Sequence, residues 1–168
     1  MVRIGNSYID GQGLFAAQDI AKGTRIIAYI GKKISRRESA RRLEAGNAYI
    51  FHLNYRYALD GKTLENTARY INHSCEPNCQ VEKTNGTLWI VALRDIKEGE
   101  ELSYNYGYEF KHYKDNPCNC GAKNCCGYIL DRQYWGFINV KQSHNNCHDN
   151  PGNYYAGNSA LAAITHVA

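Results

Sequence analysis

The sequence contains no apolar run that approaches the length of a membrane-spanning helix. It also opens without a signal-peptide pattern, because Met1-Val-Arg-Ile4 leads directly into strand-like sequence. Helical and strand patterns do not alternate as they do in a parallel α/β sheet, which argues against a doubly wound nucleotide-binding fold. These absences favour an intracellular protein in a reducing compartment, with no membrane association.

Amino-acid composition further limits the class of protein to which the chain can belong. The seven cysteines are an odd number for a disulfide framework, and clustered cysteines in a reducing compartment more often bind metal. Tyrosine is abundant, with 14 residues against 4 phenylalanines and 2 tryptophans, and it suits pocket walls that also need hydrogen bonds. The formal charge of +4 permits contact with nucleic acid without requiring it. A chain of 168 residues is expected to form one core.

The residue patterns divide the chain into three segments. We predict a mainly β domain of short strands over residues 1–114. Residues 115–132 form a cysteine element that is too short to hold a core without a metal. Residues 133–168 are rich in Asn, Gly, Ser, His and Ala, and we expect a loosely ordered tail with a short helix near residues 159–164.

Local signals predict the elements of the first segment. Ser35 and Glu38 form a capping-box pattern that starts a basic helix ending near Gly46. Asn85-Gly86 predicts a tight hairpin turn between two strands. The predicted strands cover residues 25–30, 49–53, 57–59, 80–83, 88–93 and 102–106.

Four motifs carry possible chemistry. They are Gly11-Gln-Gly13, the segment Arg69-Tyr-Ile-Asn-His-Ser-Cys-Glu-Pro-Asn78, the segment Leu102-Ser-Tyr-Asn-Tyr106, and Cys118-Asn-Cys-Gly-Ala-Lys-Asn-Cys125. Each has an ordinary explanation on its own. Glycines occur in hairpin turns, a histidine in a polar loop is usually structural, and aromatic residues on one strand face cover a core.

Together and in this order, the four motifs resemble those of the SET family of protein-lysine methyltransferases with a post-SET zinc element. The resemblance implies a β-clip fold of short antiparallel sheets with short helices, a pseudoknot and a C-terminal zinc knuckle. It also implies methyl transfer from S-adenosyl-L-methionine to a lysine ε-amine, with a histone tail as the default protein substrate. Ribosomal or other proteins are the alternative substrates.

The resemblance assigns roles to individual residues. Tyr106 is the expected catalytic tyrosine, Tyr29 lines the lysine channel, and Tyr104 occupies the position that limits the number of methyl groups, which implies mainly monomethylation. Zn²⁺ is expected on four thiolates, those of Cys75, Cys118, Cys120 and Cys125. The expected contacts of the cosubstrate are Gly11, Gly13, Leu14, Arg69, Asn72, His73, Tyr106 and Tyr108.

The chain also departs from the family pattern. Lys32 stands where an acidic residue is usual, Glu65-Asn66 replaces Gly-Asn, and Asn105 replaces a frequent Asp. Cys126 stands where a basic residue is usual, and it is therefore a competing candidate for the metal.

Two alternatives to the interpretation of the chain as an enzyme remain. One is a catalytically silent, zinc-containing module that binds lysine-bearing peptides, and the other is a secreted disulfide protein. The basic pairs Arg36-Arg37 and Arg41-Arg42 either contact nucleosomal DNA or form a solvated helix face. The expected location is the nucleus or chromosome in a eukaryotic cell or host, and the cytoplasm in a bacterium.

Overall fold

The computed structural model describes residues 1–111 and 113–138. In this part of the chain, short strands predominate beside one α-helix, α1 (Arg36–Glu44), and three 3₁₀ helices at Thr67–Tyr70, Tyr113–Asp115 and Arg132–Phe137. The strands are β1 (Val2–Asn6), β2 (Gln12–Ala16), β3 (Arg25–Tyr29), β4 (Lys32–Ser35), β5 (Ile50–His52), β6 (Tyr57–Asp60), β7 (Asn72–His73), β8 (Cys79–Thr84), β9 (Thr87–Ala92) and β10 (Ser103–Tyr104). The helix predicted near residues 159–164 lies outside the described residues.

The strands form four small sheets. Three are antiparallel, with the orders β1-β2, β3-β9-β8 and β4-β6-β5, while β7 and β10 form a two-stranded parallel pair. The prediction of a mainly β fold with short antiparallel sheets and short helices is confirmed. Within the described residues, no helix combines the length and apolar character needed to cross a bilayer.

Two local predictions correspond closely to the structure. Asn85 and Gly86 both have positive φ, at 52° and 80°, as a type I′ turn between β8 and β9 requires. Ser35 caps α1 by accepting a 3.2 Å hydrogen bond from the backbone N–H of Glu38. The Glu38 carboxylate instead binds Arg41 and Arg42, so only half of the predicted capping box forms.

The tyrosine strand is shorter than predicted. It spans only Ser103–Tyr104, and two backbone N–H groups of the predicted strand donate to side chains of other segments and not to a neighbouring strand. The N–H of Ser103 donates to Asn78 Oδ1 at 2.9 Å, and the N–H of Tyr106 donates to His73 Nδ1 at 3.1 Å.

The described residues contain three hydrophobic clusters. The first joins the two three-stranded sheets and includes Leu14, Ile71 and Leu102, which are at most 1% exposed. The second surrounds Cys75 and includes Leu130 and Ile138, and the third packs α1 against the β4-β6-β5 sheet through Leu43 and Ile50. The 3₁₀ helix Arg132–Phe137 extends the ordered structure beyond the expected start of the tail. The C-terminal residues up to 138 therefore pack against the segment that follows β7.

Candidate active site and cysteine cluster

The pairing of β7 with β10 brings two of the four motifs together. Asn72 lies beside Ser103, and His73 lies beside Tyr104. Because the pair is parallel, the chain leaves both strands at the same end. There His73 packs edge-on against Tyr106, with 5.4 Å between the ring centroids.

Three alternate tyrosines form a continuous aromatic row. The ring centroids of Tyr104 and Tyr106 are 4.9 Å apart, and those of Tyr106 and Tyr108 are 5.7 Å apart. The hydroxyl of Tyr106 donates a 2.9 Å hydrogen bond to the carbonyl of Ile71. Burial raises the pKa of Tyr104 and of Tyr106 well above the usual value and that of Tyr108 to about 12. All three hydroxyls are therefore neutral near pH 7.

Tyr29 ends β3 and belongs to the same hydrophobic cluster as the aromatic row. Its hydroxyl donates to the carbonyl of Tyr49 at 3.1 Å, and its ring contacts Phe51. Burial raises the pKa of Tyr29 as well. A Cβ on Gly61 would lie 2.6 Å from the Tyr29 hydroxyl, so the absence of a side chain at position 61 makes room for it.

Asn66 positions Tyr29 and was not singled out as a site residue from the sequence. It is fully buried. Its Oδ1 accepts from the N–H of Ile30 at 3.1 Å, and its Nδ2 donates to the carbonyl of Gly61 at 3.0 Å. This amide joins the residues after β3 to those after β6. The sequence held one signal for this role: Asn66 keeps the residue that is usual in the family, although its neighbour Glu65 does not.

His73 is a neutral, buried link between two parts of the site. Desolvation lowers its pKa to about 4. Nδ1 accepts the Tyr106 N–H, so the ring proton lies on Nε2, which is 3.6 Å from Sγ of Cys75. The imidazole thus connects the aromatic row to the cysteines.

Asn72 connects β7 to the glycine turn. Its Nδ2 lies 3.1 Å from the carbonyl of Gln12, 3.0 Å from Ser7 Oγ and 2.8 Å from Glu101 Oε1. Ser7 donates to Glu101 at 2.7 Å. Ser7 and Glu101 were missed in the sequence because they lie 94 residues apart.

The glycine turn has the backbone freedom that its sequence suggested. Gly11 has a φ of +44° with open space where a Cβ would point. A Cβ on Gly13 would collide with the Glu101 carboxylate. Leu14 is fully buried, and its carbonyl accepts from the N–H of Leu102 at 2.7 Å. The structure therefore brings Gly11, Gly13 and Leu14 to the segment that leads into β10.

Arg69 faces a different part of the site. Its guanidinium carbon lies 4.4 Å from the ring centroid of Tyr49 and 5.4 Å from that of Tyr70. One terminal nitrogen donates to the carbonyl of Lys62. Arg69 thus lies on the side of Tyr29 and Tyr49, where it can hold the Tyr49 ring in place.

The four predicted metal ligands converge. The Sγ atoms of Cys75, Cys118, Cys120 and Cys125 all lie within 4.8 Å of one another. Cys75 Sγ is 3.8 Å from Cys118 Sγ and 3.7 Å from Cys125 Sγ. A tetrahedral zinc ion with Zn–S bonds of about 2.3 Å separates its sulfur ligands by about 3.8 Å. The cluster therefore fits a metal of this kind.

Backbone groups support thiolates at this cluster. The N–H of Cys75 donates to Cys120 Sγ at 3.5 Å, and the N–H of Gly127 donates to Cys125 Sγ at 3.3 Å. Gly121 and Gly127 have positive φ, which turns the chain back towards Cys75. Hydrogen bonds of this kind favour the charged form of a thiol.

Cys126 is a fifth thiol beside the four. Its Sγ lies 3.9 Å from Cys75 Sγ, but it is not one of the mutually close set. The side chain is 5% exposed, and its S–H donates to the carbonyl of Tyr128 at 3.2 Å. Cys126 therefore lies beside the four candidate ligands without belonging to the set that could hold one metal ion together.

Comparison with known proteins gives a consistent result. The family model of the SET domain matches residues 11–107. The chain is 39% identical over 134 residues to "Histone-lysine N-methyltransferase 2D" of Homo sapiens, covering 74% of this chain and 2% of that protein. It is 34% identical over 139 residues to "Histone-lysine N-methyltransferase set-2" of Caenorhabditis elegans, covering 77% and 9%.

A fungal relative completes the comparison. The chain is 36% identical over 140 residues to "Histone-lysine N-methyltransferase, H3 lysine-4 specific" of Aspergillus oryzae, which covers 76% of this chain and 11% of that protein. The chain thus spans only a small part of the length of these relatives. Residues 11–107 contain the glycine turn, the β7 segment and the aromatic row, and all the cysteines of the cluster except Cys75 lie beyond them.

Proposed function

Because this chain belongs to the SET domain family, we propose that it is a protein-lysine methyltransferase that transfers a methyl group from S-adenosyl-L-methionine to a lysine ε-amine. The observation that carries the proposal is the row of neutral tyrosines against His73, next to the Asn72 contacts with the glycine turn. The relatives bearing histone-lysine methyltransferase names support the same reaction.

S-adenosylmethionine, when bound, supplies a methyl group on a positive sulfonium, and the acceptor must be a neutral amine in line with it. A free lysine is mostly protonated near pH 7, because its reference pKa is about 10.4. A channel lined by Tyr29, Tyr104 and Tyr106 disfavours the ammonium form by desolvation. Since the raised tyrosine pKa values keep the hydroxyls neutral, these groups orient the amine while its proton leaves to water.

We assign roles on this basis. Tyr106 is the catalytic tyrosine, and Tyr104 and Tyr29 line the lysine channel. The cosubstrate lies against the glycine turn and β7, where its proposed contacts are Gly11, Gly13, Leu14, Asn72, His73, Tyr106 and Tyr108. For Arg69, the contacts with Tyr49 and the Lys62 carbonyl favour a positioning role in the channel wall.

The expected product is monomethyl-lysine. Tyr104 is 4% exposed and packs on Tyr106, so its hydroxyl would occupy space that a second or third methyl group needs. A hydroxyl at this point also offers a hydrogen bond to the amine or to a water molecule. Either interaction restrains an already methylated amine from turning into line.

The proposed structural metal is zinc on Cys75, Cys118, Cys120 and Cys125. Four thiolates are a complete ligand set for structural Zn²⁺, and the sulfur separations near 3.8 Å support it. Cys75 lies immediately after His73 and Ser74, whereas the other three ligands belong to the C-terminal element. The metal would therefore fasten residues 115–138 to the end of β7, beside the site of the reaction.

We propose a histone tail as the protein substrate and chromatin as the location, from the names of the relatives. Exposed residues of β4 and of the turn between β5 and β6 also suit DNA contact. Lys33 Nζ lies 4.1 Å from the ring centroid of Tyr57, and Arg56 lies 5.1 Å from that of the exposed Tyr55. Exposed cations interleaved with aromatic rings favour binding to phosphates. Arg56→Glu should weaken binding to a nucleosome at low salt, whereas Lys22→Glu elsewhere on the surface should not.

The experiment that tests the reaction incubates purified protein and methyl-labelled S-adenosylmethionine with a core-histone mixture and, separately, with a cell lysate. The expected result is label on lysine in a histone band, located by mass spectrometry. If label appears only on a non-histone protein of the cell lysate, the chain is a methyltransferase, but its substrate is not a histone. A folded protein that binds histone peptides without transferring label to any protein would instead identify the silent zinc-containing peptide-binding module.

A further inference from the structure

We propose that Cys126 is a redox modification site, at which a hydroperoxide joins Cys126 to Cys75 in a disulfide and displaces the metal. The proposal rests on the zinc site described above and is independent of the methyl-transfer reaction. Its basis is the presence of five thiols where a tetrahedral metal uses four. The fifth thiol, that of Cys126, is therefore not needed as a metal ligand. Its sulfur is nevertheless in contact with the sulfur of the ligand Cys75.

The position of Cys126 makes Cys75 its expected partner. The two sulfurs are 3.9 Å apart, so they must approach by roughly 1.9 Å to reach a disulfide bond length of about 2.05 Å. In exchange, Cys126 gives up one S–H hydrogen bond to the Tyr128 carbonyl. It lies in a loop between Cys125 and Gly127, outside every strand and helix, where the backbone can shift without breaking a sheet.

The chemistry requires one oxidant of the peroxide class. The Cys126 sulfur, after losing its proton, attacks a peroxide oxygen, and the O–O bond breaks to give a sulfenic acid and water. The Cys75 sulfur then leaves the metal and attacks the sulfenic sulfur. The S–S bond forms as the S–O bond breaks, and hydroxide departs as a second water after taking up a proton. Two thiols thereby lose two electrons to one hydrogen peroxide, which becomes two waters.

Loss of Cys75 from the ligand set has a structural consequence. The remaining thiols, Cys118, Cys120 and Cys125, are too few for a closed structural zinc site, so the metal leaves. Cys75 is also the only one of the four ligands outside the C-terminal element. Oxidation would therefore release residues 115–138 from the metal link to β7 and leave the new disulfide in its place.

The test uses the zinc-loaded chain of 168 residues and hydrogen peroxide near equimolar amounts. Zinc release is followed with a chromogenic chelator, and disulfides are mapped by mass spectrometry of unreduced peptides. The wild type is expected to release about one zinc per chain and to yield a peptide linking Cys75 and Cys126. Thiol reductant and added zinc should reverse both changes.

Two variants make the outcome decisive. Cys126→Ser should release zinc at least about tenfold more slowly, whereas Cys79→Ser, a buried cysteine of β8 outside the cluster, should behave as wild type. If Cys126→Ser proves unfolded, Cys126→Ala serves the same purpose. Zinc release that is equally fast without Cys126, or a disulfide confined to Cys118, Cys120 and Cys125, would overturn the proposal. A chain with no zinc before oxidation would refute the metal site itself, and this proposal with it.

Discussion

The backbone N–H of Tyr106 donates a 3.1 Å hydrogen bond to Nδ1 of His73, an imidazole that is only 3% exposed. The other nitrogen of this imidazole lies 3.6 Å from the sulfur of Cys75. A single side chain therefore joins the proposed catalytic tyrosine to the proposed metal ligand. The cysteine cluster and the aromatic row are consequently parts of one arrangement.

The His73 link gives the first prediction. In His73→Ala the Tyr106 N–H loses its acceptor, and a buried unpaired donor costs about 1–3 kcal/mol. In His73→Asn the Oδ1 atom can stand in for Nδ1, so we expect a smaller loss. Urea denaturation of the two variants measures the difference. Equal free energies of unfolding in both variants would mean that the hydrogen bond is not what stabilises this position.

The second prediction concerns product number. Tyr104→Phe removes one hydroxyl and little volume, so a methylated amine gains room to rotate into line. We expect the wild type to stop mainly at monomethyl-lysine and the variant to reach di- or trimethyl-lysine. Intact-mass analysis of one peptide substrate over a time course measures this. A wild type that readily makes trimethyl-lysine would remove Tyr104 from the role of limiting residue.

The third prediction concerns metal removal. Chelation should release one zinc per chain and expose residues 115–138 to proteolysis, because the metal would join three cysteines of this element to Cys75. Most of the β structure before residue 114 should remain in circular dichroism. Cys75→Ser should lower the metal content, and Cys79→Ser should not. Metal content that depends on Cys126 and not on Cys75 would show that the fourth ligand was misassigned.

The fourth prediction concerns pH. Burial, together with the nearby Arg36 charge, lowers the pKa of His52 from 6.5 to about 4, so His52 is neutral in the folded chain and charged in the unfolded chain between these values. The unfolded state then binds more protons, and the stability contributed by neutral His52 is lost as pH falls from 6.5 towards 4. The expected loss from this group is on the order of 2–3 kcal/mol at pH 4.

His52→Phe isolates that contribution, because other groups also lose stability in acid. The variant should show a shallower decline of the free energy of unfolding between pH 6.5 and 4 than the wild type does. Parallel curves for wild type and His52→Phe would mean that His52 keeps an ordinary pKa in the folded chain.

Local signals in the sequence predicted local structure well. Asn85-Gly86 predicted the hairpin because few other dipeptides accept two consecutive positive φ angles. Ser35 predicted the start of α1 because its side chain meets an N–H three residues later. Both signals act within four residues, so no tertiary contact is needed to produce them.

The site was predictable only in part. The motif pattern identified Asn72, and it did not identify the partners that hold it. Ser7 and Glu101 are 65 and 29 residues from Asn72, and they meet it only after β1, β2 and the segment before β10 have assembled. The predicted strand over residues 102–106 was too long for a similar reason. Asn78 and His73, from other segments, take up its backbone N–H groups.

The central claim is that Tyr106 belongs to a working methyltransferase site. The most direct measurement compares wild type, Tyr106→Phe and the matched exchange Tyr113→Phe, in single-turnover reactions with S-adenosylmethionine and a lysine-bearing histone peptide. The account predicts methylated lysine with wild type and Tyr113→Phe, and a rate lower on the order of 10²-fold for Tyr106→Phe, which should stay folded and still bind S-adenosylmethionine. Near-normal transfer by folded Tyr106→Phe, or no transfer by the wild type to any protein, would contradict it.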